Sequence, residues 1–215
     1  MPKSRKATVR KIPNKMHIYC EGEKTEPNYI NAYINSLENH ALRSVIVVEP
    51  TKKNTPIQLV EVAVQHKRSR STPPGDVFWV VYDRESTIKY SDLMHDKAYK
   101  KAKDNNVNIA LSNVCFEQWI LMHFLSNAQP YSCFDDLLQK SQLRKKILER
   151  TGNNYEKSGK SLYSHIAKDI ATARTIAAAI NRDTLASAAP GRNKPHHLNP
   201  YTDIPKLLDA IDEFE

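Results

Sequence analysis

Three acidic residues follow closely on apolar runs. Met16 to Cys20 (MHIYC) is followed by Glu21, and Val77 to Val81 by Tyr82-Asp83-Arg84-Glu85. In open parallel sheets ligands bind beyond the C-terminal ends of the strands, so polar residues at those places carry the most functional information. Carboxylates at neighbouring strand tips repel one another unless a cation is present. Glu21, Asp83 and Glu85 are therefore expected to hold Mg²⁺, with Mn²⁺ as a substitute ion. Asp83 and Glu85, two apart on a segment that reads as extended, should point the same way, with Glu21 approaching from the adjacent strand. Magnesium takes a few carboxylates and leaves its other positions to water and phosphate oxygens. Such an ion would activate a water and stabilise charge on a cleaved phosphodiester.

A single acid after a strand is more often a helix cap or a solvated loop residue. The three together outweigh that reading because all stand at the expected crevice. Glu23 and Glu26 read as helix-start charges that complement the dipole, and Gly22 as a residue allowing a tight turn or close phosphate approach. Glu117 opens an apolar helix beside Phe116 and Trp119. For it a capping role and a metal or supporting role are equally open, and it joins as a fourth candidate acid. His123 reads as a packing histidine and His196-His197 as loop residues. Lys157 and Lys160 flank Gly159 in a GKS that lacks the earlier glycine and strand of a phosphate loop. They read as solvated lysines, with contact to a scissile phosphate as the lesser alternative. Cys20, Cys115 and Cys133 are an odd number and share no short metal-type spacing, which argues against both a disulfide framework and a structural zinc site and fits a reducing cytoplasm.

These residues need elements to position them. Apolar runs alternate with helical patterns: Met16–Cys20, Val45–Val48, Val77–Val81 and Val107–Leu111 as strands, and Glu26–Leu37, Pro56–Arg70, Tyr90–Asp104 and Phe116–Leu125 as helices. Thr25 is the expected cap of the first helix. Continuously apolar strands imply an α/β fold with a parallel sheet covered by helices on both faces. After about residue 127 only helices are expected, the clearest over Ser161–Asn181 and Thr202–Phe214, with a turn-rich loop over residues 188–200. The division is a basic N-terminal arm over 1–15, a catalytic core over 16–126 and a helical region over 127–215 packed on that core.

The 215 residues are 40% hydrophobic and 26% charged, with mean hydropathy −0.60. No stretch approaches the roughly 18 apolar residues of a membrane span. Thirty-two Lys and Arg against 24 Asp and Glu give a net charge of +8, which favours a polyanionic partner through phosphate neutralisation and counterion release. The basic residues cluster in the arm, in His66-Lys67-Arg68-Ser69-Arg70 and in the run from Lys140 to Arg150.

The pairing of CEGEKTEPNYI (20–30) with VVYDRES (80–86) resembles the Toprim fold, and specifically the RloB-like family, also called AbiLii. LSNVCFEQWILMHF (111–124), YEK (155–157) and NPYTDIPKLL (199–208) are similar to further motifs of that family, so the resemblance covers most of the chain. It implies a Toprim centre in which Glu21 matches the strand-end glutamate and Asp83 the first aspartate of a D-x-D pair. Glu85 stands where the second aspartate is usual, and Val114 where the family often has proline. The resemblance further implies restriction-modification neighbourhoods, phage defence of the abortive-infection kind and an ATPase partner of the RloA type. Three functions are expected to compete: a metal-dependent nuclease on DNA or RNA, tRNA included; a non-catalytic module that binds nucleic acid or a partner; and a phosphoryl-transfer enzyme on a small phosphate ester.

Overall fold

The computed structural model describes residues 13–214, so most of the expected basic arm lies outside the described residues. Four parallel strands, β1 (Met16–Cys20), β2 (Ile46–Glu49), β3 (Val77–Asp83) and β4 (Asn108–Asn113), alternate with helices α1 (Thr25–Ser36), α2 (His40–Val45), α3 (Pro56–Lys67) and α4 (Asp92–Asp104). Five short-to-medium helices follow: α5 (Glu117–Leu121), α6 (Phe134–Lys140), α7 (Leu143–Thr151), α8 (Leu162–Ile166) and α9 (Ile170–Ala186). Strand β5 (Tyr201–Thr202) and helix α10 (Ile204–Asp212) close the chain. The sheet order is β2-β1-β3-β4-β5.

Alternation along the strands sorts the core into two halves. Met16, Ile18 and Cys20 of β1 and Trp79 and Val81 of β3 pack with Ile30, Trp119, Ile166, Ala173 and Leu207, under the helices α1, α5, α8, α9 and α10. Tyr19, Phe78, Val80 and Tyr82 point to the other face, onto Leu59, Val60 and Ala63 of α3 and Ala98 and Ala102 of α4. Both faces are covered, as continuously apolar strands require. The C-terminal helices thus share the first hydrophobic core with the sheet rather than forming one of their own. This α/β arrangement agrees with the Toprim-like fold expected from the sequence.

Several local expectations are corrected. The region after residue 127 does contain sheet: β5 pairs antiparallel with β4, Ser112 opposite Thr202 and Asn113 opposite Tyr201. Two residues are too few to show a period of two, so no sequence pattern announced them. The free side of β5 is closed by Asn181, whose side-chain amide donates to Thr202 O (2.8 Å) and whose carbonyl oxygen accepts from Thr202 N (3.0 Å). The Ser161–Asn181 stripe is two helices joined by a tight turn over Ala167–Asp169. There Arg150 of α7 donates to His165 O (3.1 Å) and to Asp169 Oδ2 (2.6 Å), drawing a carbonyl out of the helical ladder. The apolar helix expected to Leu125 is regular only over Glu117–Leu121. Thr25 does not cap α1; its hydroxyl donates to Lys157 O (2.9 Å) and ties the start of that helix to a distant loop. Helix α3 starts with Thr55 as its cap and Pro56 in the first turn, and it ends at Lys67 rather than Arg70.

Candidate metal centre at the strand ends

From β1 the chain crosses to β2 on one side, then returns past β1 to β3 on the other. Such a reversal opens a crevice at the C-terminal ends of the two strands. Glu21 follows β1 and Asp83 ends β3, and Cys20 pairs with Val81, so the two acids flank that crevice. Glu21 Oε2 accepts from the backbone N–H of Asp83 (3.1 Å), and the Tyr90 hydroxyl lies 3.2 Å from Glu21 Oε1 and 2.5 Å from Asn54 O.

Glu85 is placed differently from the sequence expectation. Strand β3 ends at Asp83, and Glu85 adopts a left-handed backbone (φ 57°), so the two acids do not lie on one extended segment. The cause is Arg84 between them. Its buried guanidinium donates to His196 O (2.9 Å), Tyr90 O (2.7 Å) and Asp92 Oδ1 (2.8 Å). Meanwhile Arg84 N and Glu85 N bond to Ser112 O and Val114 O at 2.8 and 2.9 Å. The Glu85 carboxylate reaches Lys89 Nζ at 2.7 Å.

Two further acids complete the crevice. A cavity of about 350 Å³ is lined by Glu21, Glu26, Asp83, Glu85, Glu117 and Lys157, among others. Glu26 is not a solvated dipole charge: it is 6% exposed and faces the cavity from the first turn of α1. Glu117, 2% exposed, accepts a hydrogen bond from the Tyr155 hydroxyl and lines the same cavity. Tyr155 and Lys157 belong to the YEK segment, so four motifs distant in sequence meet here. The signal that could have found Glu26 is Gly22. A Cβ at residue 22 would lie 2.1 Å from Glu26 Oε2, so that glycine makes room for a carboxylate.

The acids burden one another. Burial pushes Glu21 up to about 7, Glu85 adds to the rise, and the Asp83 N–H and Lys89 oppose it. Burial also pushes Glu26 up to about 7, with Glu117 raising it further and Lys157 opposing. Asp83 is held well above the usual carboxylate range by burial first, then by Glu26, Glu117, Glu21 and Glu85. In the described residues, the groups whose three His, Cys, Asp or Glu ligand atoms lie within 4.8 Å of one another are His17-Glu49-His66 and Asp92-His196-His197, not the strand-end acids. Glu21 is turned onto the Asp83 amide and Glu85 onto Lys89. The donor chemistry nevertheless fits a hard divalent cation: six carboxylates line one cavity, Glu23 at its rim beside Glu21, Glu26, Asp83, Glu85 and Glu117, with mutual repulsion that such an ion relieves.

The histidine and cysteine candidates do not line the acid cavity. His123 is buried between the Tyr29 hydroxyl (3.1 Å) and Trp119 O (3.1 Å), and burial lowers it to about 4. His196 lies in a short 3₁₀ turn rather than an open loop; it is buried and stacks on His95. Cys20 and Cys115 are buried. Lys157 is not simply solvated, since its ammonium lies 3.6 Å from the centre of the Phe134 ring at the cavity edge.

A mostly parallel sheet with an acid-lined crevice at its switch point makes this an α/β protein of Toprim-like architecture. The RloB-like protein family model matches residues 16–211, nearly the whole chain, and the chain belongs to that family. Comparison with curated proteins and with solved structures gives no significant match. Among the described residues no helix is long and apolar enough to cross a membrane.

Proposed function

We propose that this protein is a magnesium-dependent nuclease that hydrolyses phosphodiesters of DNA or RNA. The observation that carries the reading is the convergence of Glu21, Glu26, Asp83, Glu85 and Glu117 on one crevice in a chain of net charge +8. Glu21 and Asp83, on adjacent strand ends, are the first ligands for Mg²⁺ or Mn²⁺, and Glu26 and Glu117 stand ready for a further ion or an ordered water. When bound, Mg²⁺ supplies charge stabilisation to the phosphate oxygens and a polarised water. Tyr155 holds Glu117 in place, Tyr90 holds Glu21, and Lys157 offers its ammonium to an approaching phosphate. The basic surplus favours a polynucleotide over a small phosphate ester. Membership of the RloB-like family supports a role as effector in phage defence beside an ATPase partner of the RloA type.

The test is cleavage of single- and double-stranded DNA, RNA and tRNA with Mg²⁺, Mn²⁺ or EDTA, with nucleotides assayed alongside. Metal-dependent cleavage that disappears in Glu21→Gln and Asp83→Asn is the expected result. Salt-sensitive binding without cleavage, unchanged in both variants, would instead identify a binding module, and turnover of nucleotides alone a phosphoryl-transfer enzyme.

A further inference from the structure

Away from the strand-end crevice, on the face of the sheet covered by α3, three potential ligands meet on three elements. His17 lies in β1, Glu49 ends β2, and His66 lies in the last turn of α3. One ligand atom from each lies within 4.8 Å of the other two. We propose that His17, Glu49 and His66 form a binding site for a borderline transition-metal ion of the Zn²⁺ type, distinct from the all-carboxylate crevice.

The histidine in the middle carries the argument. His17 is buried, and its Nε2 lies 3.0 Å from Asp76 Oδ2, a buried carboxylate also held by the Lys15 amide at 2.9 Å. With Nε2–H donated to Asp76, the second nitrogen of a neutral imidazole carries a lone pair. That nitrogen, Nδ1, lies 2.7 Å from Glu49 Oε1, which is also an acceptor. Two lone pairs at that distance need a positive centre, either an extra proton or a metal ion. A carboxylate on the outer nitrogen that fixes the tautomer and orients the ring is the usual support of a metal-bound histidine. The Phe78 ring stacks on His17 at 4.8 Å between centroids, and the Tyr19 hydroxyl lies 2.5 Å from His66 Nδ1, so both rings are held. The neighbouring cation, Lys67, is drawn away to Asn106 O at 2.6 Å.

The ligand set selects the ion. Two imidazoles and one carboxylate suit Zn²⁺, whereas an oxygen-only set suits Mg²⁺. Tetrahedral bonds of about 2.0–2.1 Å place ligand atoms roughly 3.3 Å apart, so small side-chain rotations close the cluster. The fourth position is left to water. Bound there, the ion would clamp the edge strand β2 and the end of α3 to β1.

The experiment uses the full chain, stripped with EDTA, incubated with Zn²⁺ and passed through gel filtration, with metal content measured directly. Wild type should retain about one Zn²⁺ and gain about 5 °C or more in Tm with excess Zn²⁺. Glu49→Gln and His66→Ala should lose both, while Asp83→Asn keeps both. Co²⁺ loaded on wild type should give the intense visible bands of a four-coordinate nitrogen-containing set, which keeps the test decisive if a variant folds poorly. Failure of wild type to retain Zn²⁺, retention by both cluster variants, loss in Asp83→Asn, or a weak six-coordinate Co²⁺ spectrum would overturn the proposal.

Discussion

The carboxylate of Glu26 fills the space beside Gly22: a Cβ on residue 22 would lie 2.1 Å from Glu26 Oε2. The obstructing atoms are the far end of a flexible side chain, so the backbone has no reason to move. Gly22→Ala should therefore fold normally, with a stability change within about 1 kcal/mol. It should displace Glu26 from the crevice and weaken Mg²⁺ binding about tenfold or more, measured by calorimetric titration.

If the strand-end acids hold a metal, they should trade stability against its binding. Asp83 is buried among four other carboxylates that disfavour its charge. Asp83→Asn should thus raise Tm in EDTA and abolish the gain in Tm that Mg²⁺ is expected to give wild type. Thermal scans with and without metal check both signs.

Tyr155 donates to Glu117 and touches none of the strand-end acids by hydrogen bond. Tyr155→Phe keeps the ring and removes that hydroxyl. Loss of such an orienting partner typically costs 10–100-fold (roughly) in metal affinity or activity. Metal-dependent turnover should fall by about that factor, and the dependence on Mg²⁺ concentration should shift upward.

Arg84 holds the end of β3 to Tyr90, Asp92 and His196 while 3% exposed. Removing its charge strands two carbonyls and leaves Asp92 to Arg192 at 2.7 Å and His197 at 3.7 Å. Arg84→Met should cost about 2–4 kcal/mol in urea unfolding, from the two buried carbonyls left without a donor. A cost below about 1 kcal/mol would mean that the buried guanidinium does not organise this end of the sheet.

His123 gives a pH prediction of defined sign. Burial lowers it from 6.5 to about 4, so between those values the unfolded chain binds the proton and the folded protein does not. Its contribution is fully present above about pH 6.5 and is lost as the pH falls towards 4. The stability difference between wild type and His123→Phe should shrink by up to about 3 kcal/mol over that window. Comparing the two proteins cancels the opposing titration of the crevice acids.

Much of this was legible in the residues. The four parallel strands follow from continuous apolar runs, and their residue-by-residue alternation between two cores was already set by side-chain direction. Glu21 and Asp83 were legible because each follows an apolar run directly. Glu26 was not, since an acid in a first helical turn has an ordinary explanation, and only the fold brings α1 over the crevice. Glu85 shows the opposite failure. Its spacing from Asp83 suits a strand, but the long-range bonds of Arg84 accompany a strand end at Asp83, two residues short of Glu85.

Local pattern by itself determined the strand and helix series, the position of the first two acids and the family motifs, because periodicity and turn chemistry act over a few residues. The tertiary structure decided which distant groups share a space: Tyr155 with Glu117, Thr25 with Lys157, His17 with Glu49 and His66, and β5 with β4. Those pairings depend on strand order and on which face each helix covers, quantities that arise only when the whole chain buries its apolar surface at once.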